Sequence, residues 1–503
     1  MYNFLQCLVL STITTILLAF IVTVIICRYH FQTIRKQSIA TLNKNSQKKD
    51  QNAATTNDKN SLIIAFYHPN CSAGGGGERV LWKAIYVLGD LYRAGMTNIN
   101  VVVYTKDAPS KSYKDDLFQH VKSRFSITVP PSLPLSFVHL HDSVDTSETP
   151  KRQSMIAQSA ETVKLAWKAM NKLTPHVYID TTGCAFTFIV AKLLAGCTVA
   201  AYVHYPTIST DMLSMVFERR PSYNNDSKIT ASRITTCIKL IYYTIFAIAY
   251  GIVGSMSSLV MVNSTWTHGH IQFLWRLASN LCIVYPPCDT KSLEDLPLES
   301  RKDIILSIGQ FRPEKDHALQ LRSFALLLKK YPDDTKKTWN VKLALVGSCR
   351  GPDDEQRVEE LRNLSASLDI SDSVEFVLNR PYPELREYLG HASVGIHTMW
   401  NEHFGIGVVE MMAAGLITIA HNSGGPKADI LAPFKGNMTG YLASTEEEYA
   451  DAMYEALVES KRTGDDSNMK MRQLARESSS RFSDEVFVDS FKHAIVSSKI
   501  LCR

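Results

Sequence analysis

The sequence predicts two doubly wound α/β domains that face each other across a cleft, behind an N-terminal transmembrane anchor. Three observations predict it. After residue 60, short apolar runs alternate with helical stretches, the pattern of parallel sheets covered by helices on both faces. A glycine turn follows the first strand of each half, at Gly74–Gly77 and at Gly309, where such sheets bind ligands. Finally, Phe4–Cys27 is uncharged, almost entirely apolar or Thr/Ser, and long enough to cross a bilayer as a helix.

A chain of 503 residues is too long for one ordinary core and suits two domains plus extras. With 45% apolar and 20% charged residues it has the composition of a folded, mostly soluble protein. The net charge of +5 is small, and the basic residues are mixed with acidic ones, which excludes a nucleic-acid binder with a basic stripe. The ten cysteines form no CxxC pair, so free thiols in a reducing compartment are expected rather than a disulfide or zinc framework. Cys71, Cys184, Cys197, Cys282 and Cys349 lie in apolar or glycine-rich surroundings that suit buried thiols.

The start Met1-Tyr2-Asn3 lacks the basic residues of a cleavable signal, so Phe4–Cys27 is expected to be retained. Arg28, Arg35, Lys36, Lys44, Lys48 and Lys49 follow it and place the body on the cytosolic side by charge bias. The sequons at Asn70, Asn225, Asn263, Asn363 and Asn437 are then expected to stay unmodified. Residues 36–60 read as a polar tether. A second apolar stretch, 240–262, is long enough to span. A crossing would put the two halves on opposite sides, which favours a buried or membrane-surface helix and leaves a true span or a re-entrant piece open.

In the first domain, Ser61–Tyr67 is a strand, His68-Pro69-Asn70 leads to Gly74–Gly77, and a helical pattern follows from Val80. Strand, glycine loop and helix form a phosphate-site layout, since bare backbone lets a ligand approach and a helix start favours anions. The run is neither GxGxxG nor a GxxxxGK[ST] loop, which excludes a P-loop hydrolase. Val101–Tyr104, Val177–Asp180 and Thr198–His204 read as further strands, with His204 at a strand exit.

In the second domain, strand Asp303–Ile308 opens onto Gly309-Gln310-Phe311-Arg312-Pro313-Glu314-Lys315. Arg312 and Lys315 sit three apart just beyond it, and both can reach one anion such as a diphosphate. Further strands are expected at 341–346, 374–377, 393–397 and 416–420. The sharpest signal is Glu402-His403-Phe404-Gly405-Ile406-Gly407-Val408-Val409-Glu410, with the first acid in a loop and the second on a helix. The amides near Gly405, Ile406 and Gly407 would meet an anion at the helix start, and the carboxylates would accept from sugar hydroxyls.

These pieces resemble glycosyltransferase family 4: the glycine loop 74–77, GQFRPEKD at 309–316 and EHFGIGVVE at 402–410, the E-x7-E pattern. HPNCSAGGGGERVLW at 68–82, YVHYPTIS at 202–209 and HTMWNEHFGIGVVEMMAAG at 397–415 are more specific and most similar to the fungal alpha-1,2-mannosyltransferases of this family. The resemblance implies a GT-B fold of two Rossmann-like domains. It also implies GDP-mannose as donor and a dolichol-diphosphate oligosaccharide with two N-acetylglucosamines and three mannoses as acceptor. Two mannoses would be transferred with retention, without metal or cofactor, at the endoplasmic reticulum membrane, alongside other mannosyltransferases of the pathway. By the same resemblance His204 would contact the transferred sugar, and Gly76, Gly77 and Gly309 would admit the diphosphate. Arg312 and Lys315 would neutralise it. Glu402, with amides from Phe404 to Gly407, would hold the sugar, and Glu410 the ribose.

The expected organisation is an anchor and tether over 1–60, an acceptor-side domain over 61–285, a nucleotide-sugar domain over 286–480 and a helical tail over 481–503. The residues alone leave open a different donor sugar on the same fold. An inactive scaffold would have lost Arg312, Lys315 or Glu402, and all are present.

Overall fold

The computed structural model describes residues 2–49, 61–140, 154–218, 232–332, 340–459 and 466–502. Two wholly parallel sheets organise them. The first comprises β1 (Leu62–Tyr67), β2 (Ile99–Thr105), β3 (Leu135–His139), β4 (Val177–Asp180), β5 (Thr198–Val203), β6 (Leu259–Val262) and β7 (Leu281–Ile283). Their order is β3-β2-β1-β4-β5-β6-β7. The second comprises β8 (Lys302–Ile308), β9 (Lys342–Gly347), β10 (Val374–Leu378), β11 (Ala392–His397), β12 (Ile417–His421) and β13 (Gly440–Ala443), in the order β10-β9-β8-β11-β12-β13.

Both sheets are covered on both faces, which is why their central strands are apolar without alternation. Along β1 every residue is buried, with Ile64 and Phe66 entering one core and Ile63, Ala65 and Tyr67 the other. In each sheet the order reverses beside the first strand, β1 or β8, and the loops leaving the carboxyl ends there make a ligand crevice. The chain is thus two Rossmann-like domains.

The C-terminal helix Asp484–Ser497 returns to the first domain. Phe487, Phe491, Ala494 and Ile495 complete that domain's core. Asp484 receives Arg79 Nη2 at 2.9 Å and Lys83 Nζ at 2.6 Å. The tail therefore fastens the second domain to the first.

Two membrane expectations are corrected. The chain does not loosen at Lys36. One helix, Tyr2–Lys49, runs from the apolar segment into the body. Its later turns are docked, with Phe31 fully buried, Arg28 donating to Leu193 O, and Arg35 to Pro175 O and Ala195 O. The remainder of the tether, 50–60, lies outside the described residues. Nor is 240–262 one element. Helix Arg233–Gly254 begins before that stretch and ends inside it, and Leu259–Val262 is the buried strand β6. The helix packs Tyr243, Phe246, Tyr250 and Val253 inward, while Ile234, Ile238, Ile241, Ile245, Ile248 and Ile252 are all more than half exposed. At 4-3-4-3-4 spacing they form one apolar stripe.

Candidate active site

The glycine turn is shorter than the sequence suggests, because helix Gly76–Arg93 begins inside it. Gly75 is its N-cap, and its amide donates to Glu78 Oε2 at 2.8 Å. Glu78 Oε1 meets His68 Nε2 at 3.2 Å, and His68 Nδ1 lies 2.8 Å from Thr181 Oγ1. His68 and Thr181 follow β1 and β4, so two strand ends hold the turn. Burial works to raise the Glu78 carboxyl, but His68 and the backbone amides hold it below its ordinary value.

His204 follows β5 and faces the same turn. A Cβ on Gly77 would stand 3.5 Å from His204 Nε2, a buried atom with no hydrogen-bond partner among the described residues. Burial, with His68 nearby, pushes the imidazole down to about 4, so it is neutral at physiological pH.

Across the cleft, Lys315 Nζ lies 2.5 Å from Glu402 Oε2, and His397 Nε2 lies 3.1 Å from the same oxygen. Burial works to raise the Glu402 carboxyl. Lys315 and the His397 bond outweigh it and hold the group well below the carboxylate range. Lys315 is set by a short turn, Pro313–Lys315, whose carbonyl end accepts Thr398 Oγ1 at 2.8 Å. Gly309 flanks the lysine stem, and a Cβ there would touch Lys315 Cδ at 3.7 Å.

Gly405, at φ +112, turns the chain into helix Ile406–Ala413 as its N-cap. Phe404 is buried against Tyr285 and Phe482. The Ile406 and Gly407 amides donate to nothing among the described residues, so this helix start can receive an anion. Glu410, one turn on, has no side-chain hydrogen bond among the described residues, and burial raises its carboxyl.

The structure joins the two halves where the sequence placed their sites. A Cβ on Gly76 would come within 2.7 Å of Ile406 Cδ1, so the two helix starts touch. His204, Gly76, Gly77, Gly309, Lys315, Glu402, Phe404, Gly405, Ile406 and Gly407 therefore border one cleft, and Glu410 follows on the same helix. Arg312 is exposed and its carbonyl accepts from the Lys315 amide at 3.1 Å, but among the described residues its guanidinium makes no hydrogen bond or ion pair with Glu402. The two cations do not share a partner here.

Sequence reasoning missed His397 and the His68–Glu78 pair. Position was the available signal, since His68, His204 and His397 all stand at carboxyl ends of strands. It also missed the cross-cleft bonds of Asn401 with Asp211 and of Thr265 and Tyr285 with Asp429. No group of three or more His, Cys, Asp or Glu that could hold a metal occurs among the described residues.

Residues 61–275 match the family described as ALG11 mannosyltransferase N-terminus, and residues 289–478 match glycosyl transferases group 1. The GDP-Man:Man(3)GlcNAc(2)-PP-Dol alpha-1,2-mannosyltransferase of Homo sapiens is 45% identical, the alignment covering 89% of each chain. That of Dictyostelium discoideum is 47% identical over 86% of this chain and 84% of its own. That of Neurospora crassa is 39% identical over 84% and 78%. The likeness thus extends across eukaryotes and is not particular to fungi. Among solved structures, sucrose-phosphate synthase from Thermosynechococcus elongatus superposes with TM-score 0.58 at 16% identity, covering 85% of this chain and 97% of that one. The alpha,alpha-trehalose 6-phosphate synthase from Burkholderia multivorans gives 0.60 at 11%, covering 88% and 100%. These two likenesses show the fold alone.

Proposed function

This chain belongs to the family of GDP-Man:Man(3)GlcNAc(2)-PP-Dol alpha-1,2-mannosyltransferases, and from that premise we propose that it transfers mannose from GDP-mannose to a dolichol-diphosphate oligosaccharide of three mannoses and two N-acetylglucosamines. The linkage is alpha-1,2, the configuration is retained, and two mannoses are added in turn. The observation that carries the reading is the Lys315–Glu402–His397 cluster, set beside a helix start that touches the glycine turn of the opposite domain.

In this reading the donor diphosphate lies between Gly76–Gly77 and the amides of Ile406 and Gly407. Negative charge grows on the bridging oxygen as GDP leaves, and Lys315 is preplaced to stabilise it, with Arg312 joining when the anion is bound. Glu402 accepts from hydroxyls of the transferred mannose, and its bond from His397 fixes its rotamer. His204, neutral and with a free ring nitrogen, addresses the same sugar. Glu410 accepts from the ribose.

The acceptor's lipid keeps the reaction at the bilayer. The helix Tyr2–Lys49 packs on Ile189–Leu194 and the helix Arg233–Gly254 on Ala185–Thr187, so the helix that carries the isoleucine stripe is anchored next to the membrane helix. That stripe rests on the membrane surface of the endoplasmic reticulum, with both domains on the cytosolic side. Radiolabelled GDP-mannose and lipid-linked acceptors of defined length test the reading. Alpha-1,2-mannose on the three-mannose acceptor supports it, and transfer only from another donor or only to another acceptor overturns it.

A further inference from the structure

The residues flanking Glu402 face away from it, into the other domain. Asn401 Nδ2 donates to Asp211 Oδ2 at 2.6 Å, a bond spanning 190 positions of chain. The His403 ring stacks on Tyr205, with centroids 5.1 Å apart and planes 23° apart, and lies 5.3 Å from Trp266. Glu402 between them points back to Lys315 and His397. The loop is thus gripped alternately, with 401 and 403 held by the first domain and 402 by the second.

Each side of the grip is itself fixed. Asp211 also lies 3.5 Å from His270 Nε2, and His270 Nδ1 is 2.8 Å from Thr210 Oγ1. Asn401 takes the left-handed conformation, at φ +50, which asparagine tolerates better than most residues. Its amide donates to Ser423 Oγ at 2.7 Å, and Glu402 O accepts from Gly425 N at 2.8 Å. A Cβ on Gly424 would lie 2.2 Å from Glu402 O, so only glycine lets the 423–425 turn press on this loop.

We propose that Asp211, Asn401, Tyr205 and His403 form an interdomain latch that positions Glu402, so that the carboxylate reaches its working place only when the two domains are closed. The proposal rests on the transferase reading above. Tyr205 directly follows His204 and His403 directly follows Glu402, so one stacked pair sets the spacing of the two sugar-facing groups. None of the four latch residues touches the reacting atoms. They are positioning residues, and their loss shows in turnover rather than in nucleotide affinity.

The test uses the full chain in detergent, with GDP-mannose and the three-mannose lipid acceptor. Asn401→Asp sets two carboxylates against each other. It is expected to lower kcat by roughly 10- to 100-fold, the scale of a misplaced catalytic group, with GDP affinity within about 3-fold of wild type. Asp211→Asn/Asn401→Asp reverses donor and acceptor and is expected to recover kcat to within about 3-fold of wild type. If Asn401→Asp folds poorly, Asp211→Ala breaks the bond from the other domain and carries the same expectation. Wild-type kcat in the single variants, no recovery in the double, or GDP affinity falling in step with kcat would overturn the latch. Hydrogen exchange over 399–405 reads the latch without turnover, and faster exchange in the single variants is expected. Unchanged exchange overturns the latch. A wild-type chain that binds GDP but transfers no mannose sinks the transferase reading instead.

Discussion

Lys315 Nζ sits 2.5 Å from Glu402 Oε2, joining the loop after β8 to the loop after β11. Removing the cation leaves a largely buried carboxylate beside the neutral His397. Lys315→Ala is therefore expected to act twice. Turnover should fall by about 10²-fold or more, the cost of losing a preplaced charge at a leaving group. Stability should also shift in its pH dependence. In the wild type Glu402 is held well below 4.5, so its contribution is complete above about pH 4.5 and is lost as pH falls through the lower folded value. In the variant burial dominates and raises the folded value above the ordinary one, so the sign reverses: the buried carboxylate costs stability at higher pH, and that cost is relieved as pH falls through the raised value toward about 4.5. Melting temperature against pH for the two proteins checks this, and parallel profiles contradict it.

The contact of Gly76 with Ile406 makes a different demand. Alanine suits a helix better than glycine by up to about 1 kcal/mol, so Gly76→Ala should fold normally. Its methyl would nevertheless stand 2.7 Å from Ile406 Cδ1 and force that side chain aside at the helix start proposed to receive the donor. Transfer should fall while the melting temperature holds. Ile406→Val removes the clashing atom, so Gly76→Ala/Ile406→Val should regain activity that Gly76→Ala lost. Steady-state rates on the three variants decide the matter.

Much of this cleft was legible in the sequence because its elements are local. β1, β4 and β5 are buried on both faces and read as unbroken apolar runs, and Glu402 and Glu410 are bracketed by glycines. β6 was hidden because Leu259–Val262 continues an apolar run that begins in a helix. β3 is only partly buried, and its pattern is correspondingly weak. Asn401 and Asp211 carried no signal, because their bond joins residues 190 apart and nothing near either one announces the other. The tether was misread because polar residues after a span look disordered. Phe31, Arg35 and Leu42 dock the helix at spacings a compositional reading passes over.

His204 predicts a second pH effect. Its folded value is about 4 against an ordinary 6.5, since burial and His68 disfavour the charged ring. The unfolded chain then binds the extra proton first. The contribution of neutral His204 is complete above about pH 6.5, declines as pH falls toward 4, and changes no further below that. His317, pushed down to about 3 by burial, declines over a lower and wider range and remains in the variant as an internal reference. Denaturant midpoints for wild type and His204→Asn should diverge between pH 6.5 and 4. An imidazole resonance of His204 titrating near 6.5 would contradict the assignment.

The isoleucine stripe predicts membrane binding that does not need the anchor. A chain beginning at Arg28 keeps the docked turns of the first helix, including Phe31 and Leu42, and should fold. It should still float with anionic vesicles. Ile238→Ser/Ile245→Ser/Ile252→Ser removes three side chains exposed by 62%, 63% and 62%. At about 1 kcal/mol for each partly inserted side chain, vesicle affinity should drop on the order of 10²-fold. Flotation of the two proteins measures the difference, and equal flotation would remove the stripe from the membrane.

The proposed cytosolic orientation predicts that the chain carries no N-linked glycans. Asn70 and Asn363 are exposed in intact sequons and would be reachable if the body were lumenal. Asn263 tests nothing, since it is buried and donates to His204 O at 2.7 Å. Asn225 lies outside the described residues, and Asn437 is half-buried beside a turn. The informative pair is therefore Asn70 and Asn363, one in each domain. Glycosidase treatment of protein from its native membrane should leave gel mobility unchanged. A shift abolished by Asn70→Gln or by Asn363→Gln would put that domain in the lumen. A shift from only one of them would require the chain to cross between the domains, which the insertion of β6 between β5 and β7 forbids. Both sites must therefore behave alike, and both are expected to be bare.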